Sequence, residues 1–127
     1  STPDYIPARG ARLLCFFLGH NPAYTPFGMH KFEWDPSSRS FNEAWVAYDV
    51  SSPNSVPLVS QREDLVYTCG VREGNWSIEA VDWSTGESIG YWIMGGSQFN
   101  TLGAGIIIDD DGRITCGSIF GKTRLLV

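Results

Sequence analysis

Apolar positions fall in short runs along this chain, and almost every run is closed by Gly, Pro, Asn, Asp or Ser. Leu13 to Leu18 is an unbroken apolar stretch ended by Gly19, the pattern of an interior strand. Met29 to Trp34 and Phe41 to Tyr48 read as strands flanking the turn Asp35-Pro36-Ser37-Ser38. After the loop from Ser51 to Pro57, a short strand is expected near Val59. Leu65 to Cys69 is β-branched and apolar and is ended by Gly70, Arg72-Glu73-Gly74-Asn75 reads as a hairpin loop, and Trp76 to Trp83 returns with clean alternation. Trp76, Ile78, Ala80 and Asp82 share one face of that strand, with Ser77, Glu79, Val81 and Trp83 on the other. Ile89 to Met94 follows the turn Ser84-Thr85-Gly86-Glu87 and is broken by Gly95-Gly96-Ser97. Gly103 to Ile108 and Arg113 to Ile119 flank Asp109-Asp110-Asp111-Gly112, and Gly121-Lys122 is read as a last turn before Thr123 to Val127. No segment carries a helical period with caps. The expected class is all-β and antiparallel, with an irregular arm at residues 1–12 and a single folded unit over 13–127.

The pattern also repeats at an offset of 47 residues without a gap. Asp35 recurs as Asp82, Ser37 as Ser84, Trp45 as Trp92 and Asp64 as Asp111. Thr68-Cys69-Gly70 recurs as Thr115-Cys116-Gly117, and Gly74 as Gly121. The matches fall on rare Trp and Cys residues and on turn positions. A period of this length built from short strands points to β-propeller blades, which need neighbours to bury their faces. Val127 aligns with Ala80, so these residues hold about 2.5 such units and the expected architecture is an incomplete propeller.

Ala80-Val81-Asp82-Trp83-Ser84-Thr85-Gly86, followed by Trp92, resembles the A-x-D-x-x-T-G…W motif of quinoprotein-like (PQQ-like) β-propeller repeats. The residue types make mechanical sense. Asp82 can accept backbone amides of the turn ahead of it, Thr85 can bond back to the same turn, and Gly86 can take the positive φ that a side chain penalises. The resemblance implies that Trp92 docks against a neighbouring blade and joins successive blades. Two departures stand out: Trp92 follows Gly86 at a longer interval than is usual in that family, and the earlier copy, Asp35 to Trp45, carries Arg39 at the glycine position. The family is often exported in bacteria, which is the resemblance's suggestion of an extracytoplasmic home.

Composition narrows the function classes. A net charge of −5 with scattered basic residues argues against nucleic acid and an anionic membrane surface, both of which need clustered Lys and Arg. No stretch approaches the roughly 20 apolar residues of a membrane-spanning helix. Three cysteines leave at least one thiol unpaired in the chain, and no C-x-x-C or Cys/His cluster suggests structural zinc. Cys69 and Cys116, at equivalent repeat positions, are read as buried small hydrophobes, too far apart for the ~4.4–6.8 Å Cα separation of a disulfide.

Catalytic signatures are weak. The chain has neither the vicinal cysteines nor the calcium-binding set of the enzymatic quinoproteins, no G-x-S-x-G elbow and no phosphate-binding glycine loop, so no cofactor is expected and the reading leans away from an enzyme. The Asp109–Asp111 run lacks the spaced oxygens of a calcium loop and reads as a hairpin turn. His20 and His30, with Trp34, Trp76 and Trp83, are the candidate ligand contacts, since rings beside Asn and Asp can form a sugar platform. Core and inter-blade packing is the stronger reading of those rings. The expected function is therefore a non-catalytic binding or scaffold module, completed by self-association as a homo-oligomer or by a complementary propeller segment. The alternative is a carbohydrate- or small-ligand-binding protein, and a quinoprotein-type enzyme fragment ranks third.

Overall fold

The computed structural model describes residues 28–52 and 55–126, together with the backbone of Ala11–Arg12. The expected strand at Leu13 to Leu18 and His20 both lie outside the described residues. The protein is all-β, and the described residues form ten strands in three antiparallel sheets. The first sheet has the order β1-β2-β3, formed by Ala11–Arg12, Met29–Asp35 and Ser40–Ala47. Ala11 and Arg12 pair with Glu33 and Phe32, so the end of the expected arm is a strand. The second sheet runs β4-β5-β6-β7: Leu58–Ser60, Leu65–Arg72, Asn75–Asp82 and Ser88–Gly95. The third runs β8-β9-β10: Ile106–Ile108, Ile114–Ser118 and Gly121–Leu125.

The structure moves several of these boundaries. β5 continues through Gly70 to Arg72, because Arg72 pairs with Asn75 across a loop of Glu73 and Gly74, both at positive φ. Gly70 sustains the strand for a packing reason: a Cβ there would stand 2.8 Å from Glu79 Cγ and 2.5 Å from the Ser51 carbonyl. The last turn lies at Ile119 and Phe120 rather than at Gly121-Lys122, since Gly121 pairs with Ser118 and opens β10. Gly95-Gly96-Ser97 does break its strand, but into a single 3-10 turn, Ser97–Phe99, with Phe99 lying 2.8 Å from where a Gly95 Cβ would be.

Within the middle sheet β5 and β6 are buried on both faces, and their period-2 alternation shows why. Val66 and Val81 point one way, into a cluster with Met29, Trp45, Ala47 and Val50 of the first sheet and its following loop. Tyr67, Cys69, Ile78 and Ala80 point the other way, onto Ile106, Ile114 and Cys116 of the third sheet. The two cores therefore stack the sheets in chain order, with β5 and β6 between them. Beside β4, Val56 makes a parallel bridge to Gly105, tying together the approaches to the second and third sheets.

Cys69 and Cys116 meet in that second core as buried free thiols, and Cys116 Sγ donates to Met94 Sδ at 3.9 Å. The neighbouring Cys116 thiol, reinforced by burial, pushes the Cys69 thiol well above its ordinary range, and the Cys69 thiol holds Cys116 down.

Candidate functional site: the joint between repeats

The turn that closes β6 is built from its own side chains. Asp82 Oδ1 accepts the Thr85 amide at 2.7 Å and the Thr85 hydroxyl at 2.9 Å. The Gly86 amide donates to the Asp82 carbonyl at 2.9 Å, and the Asp82 amide donates to Glu87 O at 2.8 Å. Gly86 sits at φ 79, the left-handed region that glycine enters without strain. These donors hold the Asp82 carboxyl below its ordinary range, the Thr85 backbone bond being the largest cause. Ala80, first residue of the motif, is buried in the core shared with the third sheet.

Glycine at 86 has a second reason. Trp45 of the first sheet lies directly over it, so that a Cβ on residue 86 would stand 2.7 Å from the indole Cδ2. The indole Nε1 donates to the Trp83 carbonyl at 2.9 Å, and Trp45 is 8% exposed. Its cross-strand partner Lys31 reaches the same carbonyl at 3.1 Å. The Lys31 ammonium also stands 4.4 Å from the Trp83 ring centroid and 3.3 Å from Glu33. A buried lysine is costly unless its charge is met, and here a carbonyl, a carboxylate and an aromatic face meet it. The joint thus runs forward: a Trp from one repeat seats on the turn of the next.

Gly86→Arg tests this contact on the chain itself. The substitution should evict the indole, visible as a red shift of Trp45 emission and its exposure to quencher. An unmoved Trp45 would mean that the contact with residue 86 does not hold the ring.

The equivalent turn of the first repeat is closed in the same manner. Asp35 Oδ1 accepts the Ser37 amide at 2.8 Å and its hydroxyl at 2.7 Å, and Oδ2 accepts the Ser38 hydroxyl at 2.8 Å. The hydroxyl of Ser37 is the main cause that draws the Asp35 pKa down to about 2. A carboxylate lowered in the folded state contributes stability above its unfolded pKa and loses it as pH falls through the folded value. The Asp35 carboxyl resonance should accordingly titrate near pH 2, and Ser37→Ala should move that midpoint up toward 3.8. A midpoint unchanged in Ser37→Ala would dispose of this cause. Arg39 occupies the glycine position at φ 53 and is exposed.

Trp92 does not dock within the described structure. It pairs with Ile78 across β6–β7 and is 37% exposed, whereas its repeat equivalent Trp45 is buried.

The candidate ligand contacts among the described residues are held in separate packing roles. His30 is buried with its Nδ1 3.0 Å from Glu43, and its ring stacks on Phe32 at 6.0 Å. Trp34 packs edge-on against Phe41 at 5.0 Å. Trp76 is buried, and Trp83 lies under Lys31 at the joint. Among the described residues no three His, Cys, Asp or Glu side chains converge as a metal set. The Asp109 loop is a hairpin turn held by Asp109 Oδ1, which accepts the amides of Asp111 and Arg113 at 3.0 and 2.9 Å.

A cleft that the sequence did not reveal opens at the β5–β6 hairpin. It has a volume of about 400 Å³ and is lined by Tyr48, Asp49, Arg72, Glu73, Asn75 and Tyr91, among others. Behind its lining residue Arg72 is an ion pair: Arg72 Nε bonds both oxygens of the fully buried Glu79, at 3.1 and 2.9 Å, and Arg72 Nη2 bonds Ser88 Oγ at 2.9 Å. The guanidinium lies 4.1 Å from the Tyr91 ring centroid.

No family model matches the chain. Over 123 residues, 96% of its length, it is 37% identical to a protein of Archaeoglobus fulgidus that is described as uncharacterised. The chain spans about a quarter (24%) of that relative's length.

Proposed function

We propose that this chain is a stacking unit of a β-propeller, a non-catalytic binding or scaffold module whose open ends are completed by further propeller segments. The observation that carries this reading is the forward joint, in which Trp45 of one repeat covers the glycine turn of the next. The same offset of 47 residues relates Trp45 to Trp92 and Asp35 to Asp82, so each unit carries both halves of a joint. The quinoprotein-like motif at Ala80–Gly86 supports propeller blades over other stacked sheets. A relative about four times as long leaves room for further units.

In such an array each sheet depends on its neighbours, and stability declines toward the ends. Amide hydrogen exchange tests it: β5 and β6, covered on both faces, should exchange slowest, with β2–β3 and β9–β10 opening first. Sheets that exchange independently, with no protection lost in β5 and β6 when the joint is broken by Trp45→Ala, would refute the stacking unit.

Carbohydrate or small-ligand binding is a second reading, favoured by the cleft rather than by the tryptophans. Tyr48 and Tyr91 offer exposed rings beside Asp49 and Asn75, the pairing of aromatic faces with planar polar groups that suits a polyol. Titration of a glycan panel should then shift the Tyr91 ring resonances and leave Trp34 untouched. No shift across the panel would dispose of this reading.

A further inference from the structure

Three sulfur atoms come together in the core between the second and third sheets. Cys69 of β5 and Cys116 of β9 belong to that core, and Met94 of β7 packs against it. Cys69 is fully buried and Cys116 nearly so, while Met94 is half-buried on the outer strand of its sheet. The Cys116 Sγ stands 3.9 Å from the Met94 Sδ. The Cys69 thiol lies beside Cys116 and is the main cause that holds Cys116 below its ordinary range, whereas Cys69 is itself pushed up. Cys116 is thus the thiol that gives up its proton, and Cys69 the one that keeps it. Neither the joint between repeats nor the cleft uses these atoms.

We propose that Cys69, Cys116 and Met94 form a buried site for a soft monovalent cation, copper(I), with Cys116 as the anionic donor and the other two sulfurs as neutral ones. The donor set selects the ion, because thiolate and thioether sulfurs favour copper(I) over harder metals. Among the described residues no His, Asp or Glu joins the two cysteines in a set of three, so zinc and calcium lack the ligands they need. The spacing fits. Two sulfurs at a metal–sulfur bond length of about 2.3 Å and a trigonal angle stand roughly 4.0 Å apart. Cys116 and Met94 already hold that separation, so the ion enters with little movement of β7 or β9. The charge fits as well. The Cys116 proton leaves to solvent as the ion arrives, and a monovalent cation on one thiolate is neutral, which an apolar core tolerates. A divalent ion on the same thiolate would leave a net charge among Ile78, Ile106 and Ile114. Met94, at the margin of the core, gives the ion its way in. A disulfide, the other chemistry open to two thiols, would need an oxidant and would make no use of the thioether.

The test loads the reduced, full-length chain with copper(I) under anaerobic conditions, with Cys15→Ala throughout so that only these two thiols count. The parent should retain one ion per chain against a chromogenic copper(I) chelator and show thiolate-to-copper charge transfer in the near ultraviolet. Its Tm should rise, since an ion bound only by the folded state stabilises it. Zinc(II) should produce none of these changes. Cys116→Ser should abolish retention. Met94→Leu keeps the volume of the core, so it should leave Trp45 emission and the metal-free Tm near the parent's. It should nevertheless weaken retention by at least about tenfold, a loss that even a partner outside the ligand set commands. Met94→Leu keeps the proposal falsifiable if Cys116→Ser fails to fold. A parent that yields all its copper to the chelator overturns the proposal, and so does equal retention by Met94→Leu. A Cys69–Cys116 disulfide, found by mass and peptide mapping in the chain before any metal is added, overturns it too.

Discussion

Trp45→Ala is expected to destabilise the chain by about 3–5 kcal/mol, the range for truncating a buried aromatic. The loss has three sources. The indole leaves the core it shares with Val66 and Val81, and a cavity opens over Gly86. The Trp83 carbonyl keeps only Lys31 as a donor. Lys31 itself, 5% exposed, loses the ring that shields it from one side. Urea unfolding should show a lower midpoint, and the first sheet should lose exchange protection before the second. Trp92→Ala, the same substitution one repeat later, should cost clearly less, because that ring is 37% exposed and covers no glycine turn among the described residues. The contrast is the informative quantity. Equal losses at the two positions would mean that Trp92 is covered in solution, and a small loss at Trp45 would mean that the joint carries little of the stacking energy.

The same pair of residues shows what the sequence could and could not disclose. Alternation and turn residues were enough for the all-β class and for most strand centres, since a period of two and an Asx turn are local properties. The motif Asp82-Trp83-Ser84-Thr85-Gly86 was legible as a turn for the same reason. The direction of the joint was not. That Trp45 seats on the following turn, rather than Trp92 on its own neighbourhood, depends on the twist and stacking of two sheets, which no local pattern encodes. Gly70 misled for a related reason: it looks like a strand breaker but serves as clearance for the Glu79 side chain. The cleft was missed because Tyr48, Arg72 and Tyr91 come from three separate elements. Glu79 offered one available signal, a carboxylate placed on the same strand face as Val81, which in a doubly covered sheet demands a cationic partner.

That partner gives the second large effect. Arg72→Ala should cost about 3–5 kcal/mol, because it strands a fully buried carboxylate. Glu79 accepts two bonds from Arg72 Nε and one from the Ser77 hydroxyl, so the substitution leaves the serine as its remaining donor among these. Arg72 is differently placed: its side chain is 17% exposed, lies over Tyr91 and bonds Ser88, so it can turn toward the cleft when its partner is removed. Glu79→Gln should therefore cost less than Arg72→Ala, since an amide needs no counter-charge and the arginine regains water. Replacing both with Met should recover much of the arginine loss, as removing a whole buried pair is far less damaging than removing half. A double-mutant cycle read by chemical unfolding separates these terms. If Arg72→Ala costs under about 1 kcal/mol, then water reaches Glu79 through the cleft. The site would then be a hydrated acidic pocket rather than a sealed pair, with the buried carboxylate available to a ligand lodged between Tyr48 and Tyr91.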